Sequence, residues 1–311
     1  MTAALYLFLY AMILVFAAGC AVRIYRYATA PMHLRWELYP VPHEEPHRVR
    51  HGGSYFEAPD WWTRPVHFNL AGELKFMIPE MIFLKGLWEF NRPMWRRSFP
   101  FHFGLYLLIG TAALAAVAAV LDLIAAGTSS TGLGWAIARL YTVTGLAGAI
   151  LCVVGALGLL HRRLTDPKLR LYTTPGDIFN LVFFVVAVAL LFAGFAFGGP
   201  DTPGPAAIVR GLVRFDTGLE IPATLAVGLA LAGLLIAYIP MTHMSHFIAK
   251  WFTYHEIRWD DQPIARSRRL ARKLAEQLAY RPTWAAAHVG ADGSKTWADV
   301  ATTNPAQGAK R

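Results

Sequence analysis

Charge is scarce in this chain. Only 16% of its 311 residues are Asp, Glu, Lys or Arg, against roughly a quarter in a soluble globular domain. A water-soluble fold is therefore excluded. Cysteine is scarcer still. The two present, Cys20 and Cys152, are isolated; an iron–sulfur cluster usually takes four, and no disulfide framework is implied. Any redox work must rest on a cofactor held by other side chains, or on a partner protein.

Apolar residues make up 55% of the chain, and they are gathered into blocks, the mark of an integral membrane protein. Five blocks reach the ~20 residues a bilayer requires: approximately 3–22, 101–126, 135–160, 178–198 and 222–246. Pro100, Pro175 and Pro222 stand at block starts, where proline suits a first helical turn. "AGTSSTG" and "GGPDTPGP" read as plain connectors. The opening block lacks a positive n-region, and Arg23 and Arg26 follow it, so it reads as an uncleaved signal anchor rather than a signal peptide. The expected fold is an all-α, five-helix membrane bundle over residues 1–262, followed by a tail at 263–311 with a basic helix and an extended segment.

Orientation follows from the basic residues. Of 29 Lys and Arg, eleven lie in 21–100, four in "HRRLTDPKLRLYTT" and eleven after Met244; only Arg139, Arg210 and Arg214 remain for the opposite loops. The basic side is cytoplasmic. The N-terminus is then outside, the long segment 23–100 and the C-terminal tail are inside, and the protein is a multi-pass component of the inner (cytoplasmic) membrane. No nucleic-acid partner is expected.

On that map His102, His161, His243 and His246, from three spans, come to the inner leaflet. Histidine inside a span is costly and marks a functional site by default; at a span's edge the argument is weaker, and His161 reads as interfacial. The other seven histidines fall in water-facing segments, and the spacing in "HEEPHRVRH" fits no standard metal site. His102, in "FPFHFGLYLLIG", has apolar neighbours, and Gly104 two residues on would let a flat macrocycle approach the backbone. A b-type haem takes two axial imidazoles from opposite sides, one from span 2 and one from span 5. His243 and His246, three residues apart on one helix, leave it in nearly the same direction and so cannot ligate one iron from opposite faces. A tetrahedral zinc site made of the four histidines is the competing reading; no acidic or thiol ligand joins them. A transporter is disfavoured because the outer halves of the spans lack paired charges or broken helices.

Outside the spans, 31–65 reads as an irregular ordered loop. "NLAGELKFMIPEMIFLKGLWEFNRPMWRR" suits an amphipathic helix lying on the membrane surface, interrupted by Pro79. The tail's "ARSRRLARKLAEQLA" is a basic helix with Leu270, Leu274 and Leu278 on one face, suited equally to anionic lipid and to a soluble partner.

"FHFG" at 101–104 and "PMTHMSH" at 240–246 resemble the haem-binding ends of the respiratory nitrate reductase gamma subunit family, five-span b-type cytochromes. With "HLRWELYPVPHE" and "YIPMTHMSHFIAKWFTYHEIRWDD" they resemble a branch associated with cytoplasmic iron–sulfur proteins. The resemblance implies a membrane-anchoring cytochrome subunit that moves electrons between the quinone pool and an iron–sulfur partner docked on 28–100 and the tail. It implies terminal catalysis in a partner, quinone as the substrate, and a haem b held by His102 and His246. His243 would then bond a quinone carbonyl or a haem propionate. Ala112 and Gly228 stand where the resemblance would place the ligands of a second, outer haem, so one haem is expected. The rival is a haem-free structural anchor of a redox complex.

Overall fold

The structure is a computed structural model, and it describes residues 1–29, 59–60, 63, 70–125, 127–253, 267–283, 291 and 293–303. Most of 28–69 and of 254–266 therefore lies outside the described residues, including "HEEPHRVRH". Among the described residues the chain is helical, without strands. Its helices are α1 (Thr2–Thr29), α2 (Leu70–Ile82), α3 (Lys85–Phe90), α4 (Arg92–Ile124), α5 (Gly132–Thr165), α6 (Pro167–Arg170), α7 (Pro175–Phe197), α8 (Pro205–Arg214), α9 (Ala223–Tyr238), α10 (His246–Thr253), α11 (Arg268–Leu278) and α12 (Trp297–Thr302). Five segments are long and apolar enough to cross a membrane: α1, α4, α5, α7, and α9 with the turn that follows it to Met241. All five expected spans are present.

Their boundaries show which local signals prevail. At α7 the expectation holds: Pro175 is in the first turn, and Thr174 and Asp177 form a reciprocal capping box. At α4 it does not. The helix starts at Arg92, where the Asn91 side chain accepts from Met94 N and Pro93 fills the first turn. Pro100 therefore lies inside the helix. The carbonyl that loses its donor is that of Arg96, an exposed residue, where the loss is tolerated. The connector "GGPDTPGP" leads into a helix not expected from the sequence, the amphipathic α8. Pro79 does not end α2, which runs through it to Ile82.

The chain divides into two compact units, Met1–Cys20 with Met77–Ser245, and Ala21–Phe76 with His246–Arg311. The first holds the bundle. Glycines let its helices touch backbone to backbone. A Cβ on Gly104 would meet the Gly148 oxygen at 2.7 Å, and one on Gly155 would meet Phe101 Cα at 2.6 Å, so α4 and α5 cross with no side chain between them. Gly194 lies against Leu225, and Gly228 against Leu190 and Leu191, which joins α7 to α9 in the same way. Such small-residue crossings are how helices associate where lipid supplies no hydrophobic drive. Phe101, Cys152, Ala156, Phe184, Val188 and Leu235 form the buried core between these four helices. A second core of Leu5, Tyr6, Ile208, Ile221 and Leu225 joins α1, α8 and α9. Both cysteines are free thiols, Cys152 buried and Cys20 half-buried.

In the second unit, Leu270 of α11 is buried while Arg268, Arg269 and Arg272 are exposed. Lys273, also buried, donates to the carbonyl of Ala28 in the last turn of α1 at 3.0 Å. A cation there satisfies an orphan carbonyl and complements the helix dipole. On α11, Leu270 is thus buried and Leu274 and Leu278 are half-buried, while its three arginines are exposed. At α12 a capping box of Thr296 and Asp299 starts the helix, and the Thr296 N–H holds the Asp299 carboxyl below the usual carboxylate range.

Candidate functional site

One end of the bundle is assembled from the starts of α4 and α7 and the ends of α5 and α9. Arg162 of α5 meets the Met94 sulfur of α4, and Arg163 pairs with Asp177 of α7 at 3.5 Å. The Tyr238 hydroxyl of α9 donates to Asn180 Oδ1 of α7 at 2.8 Å. His102, His161 and His243 belong to this end. His102, eleven residues after the Asn91 cap and one turn after Ser98, is half-buried; His161, in the last turns of α5, and His243 are exposed.

His102 has the most defined surroundings. Its Nδ1 lies 2.8 Å from the Ser98 carbonyl oxygen and 3.2 Å from the Ser98 hydroxyl. A carbonyl only accepts, so Nδ1 carries the proton and Nε2 carries the lone pair. This is the tautomer in which a metal-ligating imidazole is oriented by a hydrogen bond at its other nitrogen. Phe101 packs edge-on to the ring at 5.3 Å. As a donor His102 therefore fits one axial position of a haem.

Gly104 does not serve as expected. It is buried under the α5 backbone at Gly148 and Cys152, which fills the space a macrocycle would need there. Its lack of a side chain serves helix crossing.

The end of span 5 also differs from the expectation. The α-helix stops at Tyr238. A 3-10 turn, Ile239–Met241, follows, then Thr242 with an extended backbone (φ −112°, ψ −178°), then a second 3-10 turn, His243–Ser245. His246 is the first residue of α10. Pro240 contributes to the break, since it has no N–H to continue the ladder. His243, in the second 3-10 turn, and His246, at the start of α10, thus both lie beyond the break at Thr242 and off the end of the span-5 helix that was expected to carry them. His243 closes the first unit and acts electrostatically on Asp177 together with Arg163. His246 opens the returning part of the second unit and is exposed.

Among the described residues no group of three or more His, Cys, Asp or Glu is placed to hold a metal ion, so the four histidines do not assemble the tetrahedral zinc site. Ala112 is exposed on α4 while Gly228 is buried against α7.

Two polar pairs were not expected. Asn180, a single amide in an apolar run, is buried and bonded to Tyr238, whose ring meets Phe179 and Phe183 edge-on. A polar side chain alone inside a span was the available signal. At the opposite end Asp122 of α4 pairs with Arg210 of α8 at 2.7 Å and accepts from the Ser129 N–H. The expectation that the outer ends of the spans lack paired charges is thereby corrected. Compared with family models, with curated proteins and with solved structures, the chain finds no match.

Proposed function

We propose that this chain is a membrane-anchoring b-type cytochrome subunit of a respiratory redox complex, linking the quinone pool to a cytoplasmic iron–sulfur partner through one haem in the inner leaflet. The observation that carries the reading is the Ser98 carbonyl holding the proton on His102 Nδ1, which leaves the lone pair on Nε2, in a stretch of α4 between Arg97 and Asp122 without Asp, Glu, Lys or Arg. His102 and His246 would hold the haem, and the resemblance selects His246 over His243. When bound, that group takes up and releases single electrons.

The chain's own residues do the rest. Ser98 fixes the imidazole's tautomer and direction. The crossing of α4 and α5 at Gly104 and Gly155 fixes the helix that carries it. His243, beside Asp177 and Arg163, is the group that would bond a quinone carbonyl or a propionate. The basic residues gathered at this end, among them Arg96, Arg97, Arg162, Arg163, Lys168 and Arg170, support a cytoplasmic assignment for it and an external Met1. The exposed arginines of α11 suit an acidic partner surface better than acyl chains, because Leu270 is buried and Leu274 and Leu278 are half-buried. The burial of Gly104 favours the rival reading of a haem-free anchor, since it removes one approach for the macrocycle.

A reduced-minus-oxidised spectrum of the purified protein tests the proposal. A b-type α-band, with one haem per chain by pyridine haemochrome, is the expected result; no band leaves the structural anchor. A reporter fused at Arg311 tests the orientation: activity only in its cytoplasmic form is expected, and periplasmic activity reverses the map.

A further inference from the structure

Between Met77 and Phe90 the bundle carries an apolar feature outside the five spans. Ile78, Met81 and Ile82 of α2 and Phe83 in the turn to α3 are all exposed, Phe83 by 53%. On α2 the exposed apolar residues run Leu70, Leu74, Ile78 and Ile82, a stripe at i+4 spacing. The turn closes through Leu84 in the left-handed region, φ 52°.

Four backbone groups of this turn are bonded from within the protein. The Met81 carbonyl accepts from the Tyr106 hydroxyl at 2.8 Å, and the Phe83 carbonyl accepts from Trp95 Nε1 at 2.8 Å. The Gly86 N–H donates to the Glu80 carboxylate at 2.8 Å, and the Phe83 N–H donates to Pro79. In water a surface turn needs no such provision. In hydrocarbon it does, because nothing else there can bond a carbonyl or an N–H.

The site of attachment sets the depth. Between Arg97 and Asp122, α4 has no Asp, Glu, Lys or Arg. Tyr106 lies nine residues past Arg97, about 13 Å along the helix axis. A tyrosine in a helix reaches back toward the N-terminus by roughly a turn, which leaves the Met81 carbonyl on the apolar side of Arg97. Tyr106 and Ile109 are themselves exposed, Ile109 by 67%, so the surface that α2 joins is the outward face of a candidate span. Lys85 and Glu89, next in sequence, pair at 3.6 Å, as charges at a lipid–water boundary do.

From these observations we infer that residues 77–84 form an in-plane membrane element, with Ile78, Ile82 and Phe83 in contact with the acyl chains of the leaflet that holds His102. The inference rests on α4 being a membrane span. The bilayer is the occupant because the exposed stripe adjoins the outward face of α4 at Tyr106, and four backbone groups of the turn, both the Met81 and Phe83 carbonyls among them, are bonded within the protein as hydrocarbon requires.

Power-saturation electron paramagnetic resonance tests it on the full chain. A nitroxide is placed at Ile82→Cys or, independently, Ile78→Cys, in vesicles of phosphatidylethanolamine and phosphatidylglycerol. The unsubstituted chain is the blank for Cys20 and Cys152. Ile109→Cys reports lipid, and Lys168→Cys in the short basic loop reports water. Oxygen concentrates in acyl chains and a nickel chelate stays in water. The expected result is an oxygen-to-nickel collision ratio at both test sites raised above that at Lys168→Cys, as at Ile109→Cys. A ratio matching Lys168→Cys overturns the inference, and so does shelter from both agents, which assigns the stripe to a protein partner. If Ile109→Cys itself reads as water, it is the span assignment that fails.

Discussion

The imidazole Nδ1 of His102 and the carbonyl oxygen of Ser98, one helical turn earlier, lie 2.8 Å apart. This contact sets which ring nitrogen keeps its lone pair, and so decides what His102 is able to ligate.

It also separates two variants. His102→Ala is expected to abolish haem binding, since the apolar surroundings offer no substitute ligand. Ser98→Ala removes the hydroxyl at 3.2 Å but keeps the backbone carbonyl, so haem is expected to be retained. Pyridine haemochrome per mole of each variant is the measurement. Haem retained in His102→Ala would remove this residue from the iron.

His243 and His246 lie three residues apart in consecutive helical turns that follow Thr242, and the roles proposed for them differ, so substitutions at the two are expected to differ in kind. Loss of an axial imidazole at His246→Ala should eliminate the low-spin ferric signal in low-temperature electron paramagnetic resonance. His243→Ala should keep that signal and slow quinol oxidation, as loss of a supporting hydrogen bond does. The opposite pattern would assign the iron to His243.

The Asp122–Arg210 pair joins α4 to α8, with the Asp122 side chain only 7% exposed. Asp122→Asn is expected to destabilise the detergent-solubilised protein by about 1–3 kcal/mol, because Arg210 loses a charge-assisted bond. The readout is a lower thermal midpoint. Arg210, at 39% exposure, can turn to water once Asp122 is neutral, whereas Arg210→Gln leaves the 7%-exposed carboxylate without its cation, so Arg210→Gln is expected to cost more. An unchanged midpoint in Asp122→Asn means the pair is energetically idle.

Gly228 and Gly110 should respond oppositely to the same change. A Cβ at Gly228 would meet Leu191 Cα at 2.6 Å and the Leu190 oxygen at 2.8 Å, both backbone atoms, whereas one at Gly110 meets nothing within 4 Å. Gly228→Ala is expected to cost about 1–3 kcal/mol by forcing α7 and α9 apart. Gly110→Ala should be neutral or stabilising by up to about 1 kcal/mol, since alanine is the better helix former. Unfolding in mixed micelles gives both values. Equal effects would show that the α7–α9 crossing yields freely.

The five spans were legible in the sequence because a bilayer imposes a one-dimensional requirement. A run of apolar residues long enough to cross it is visible without knowing its neighbours. The start of α7 at Pro175 and the leucine stripe of α11 were legible for a similar reason, since both are set by residues within a turn or two of each other. Pro100 shows the limit of local reading. A proline near a block start suits a first turn, but Asn91 and Pro93 provide an earlier start, and the exposed carbonyl of Arg96 tolerates the lost bond. The tertiary structure alone decided what depends on a distant partner. Gly104 is small because α5 crosses it, Asp122 is tolerated because Arg210 reaches it from α8, and Asn180 is satisfied by Tyr238. The break between the end of α9 and His243 also lay beyond periodicity, because a 3.6-residue pattern assumes the continuous helix that Pro240 and Thr242 interrupt. Hydropathy is a property of a segment, whereas the pairing of a polar atom or the filling of a glycine's space belongs to two segments at once.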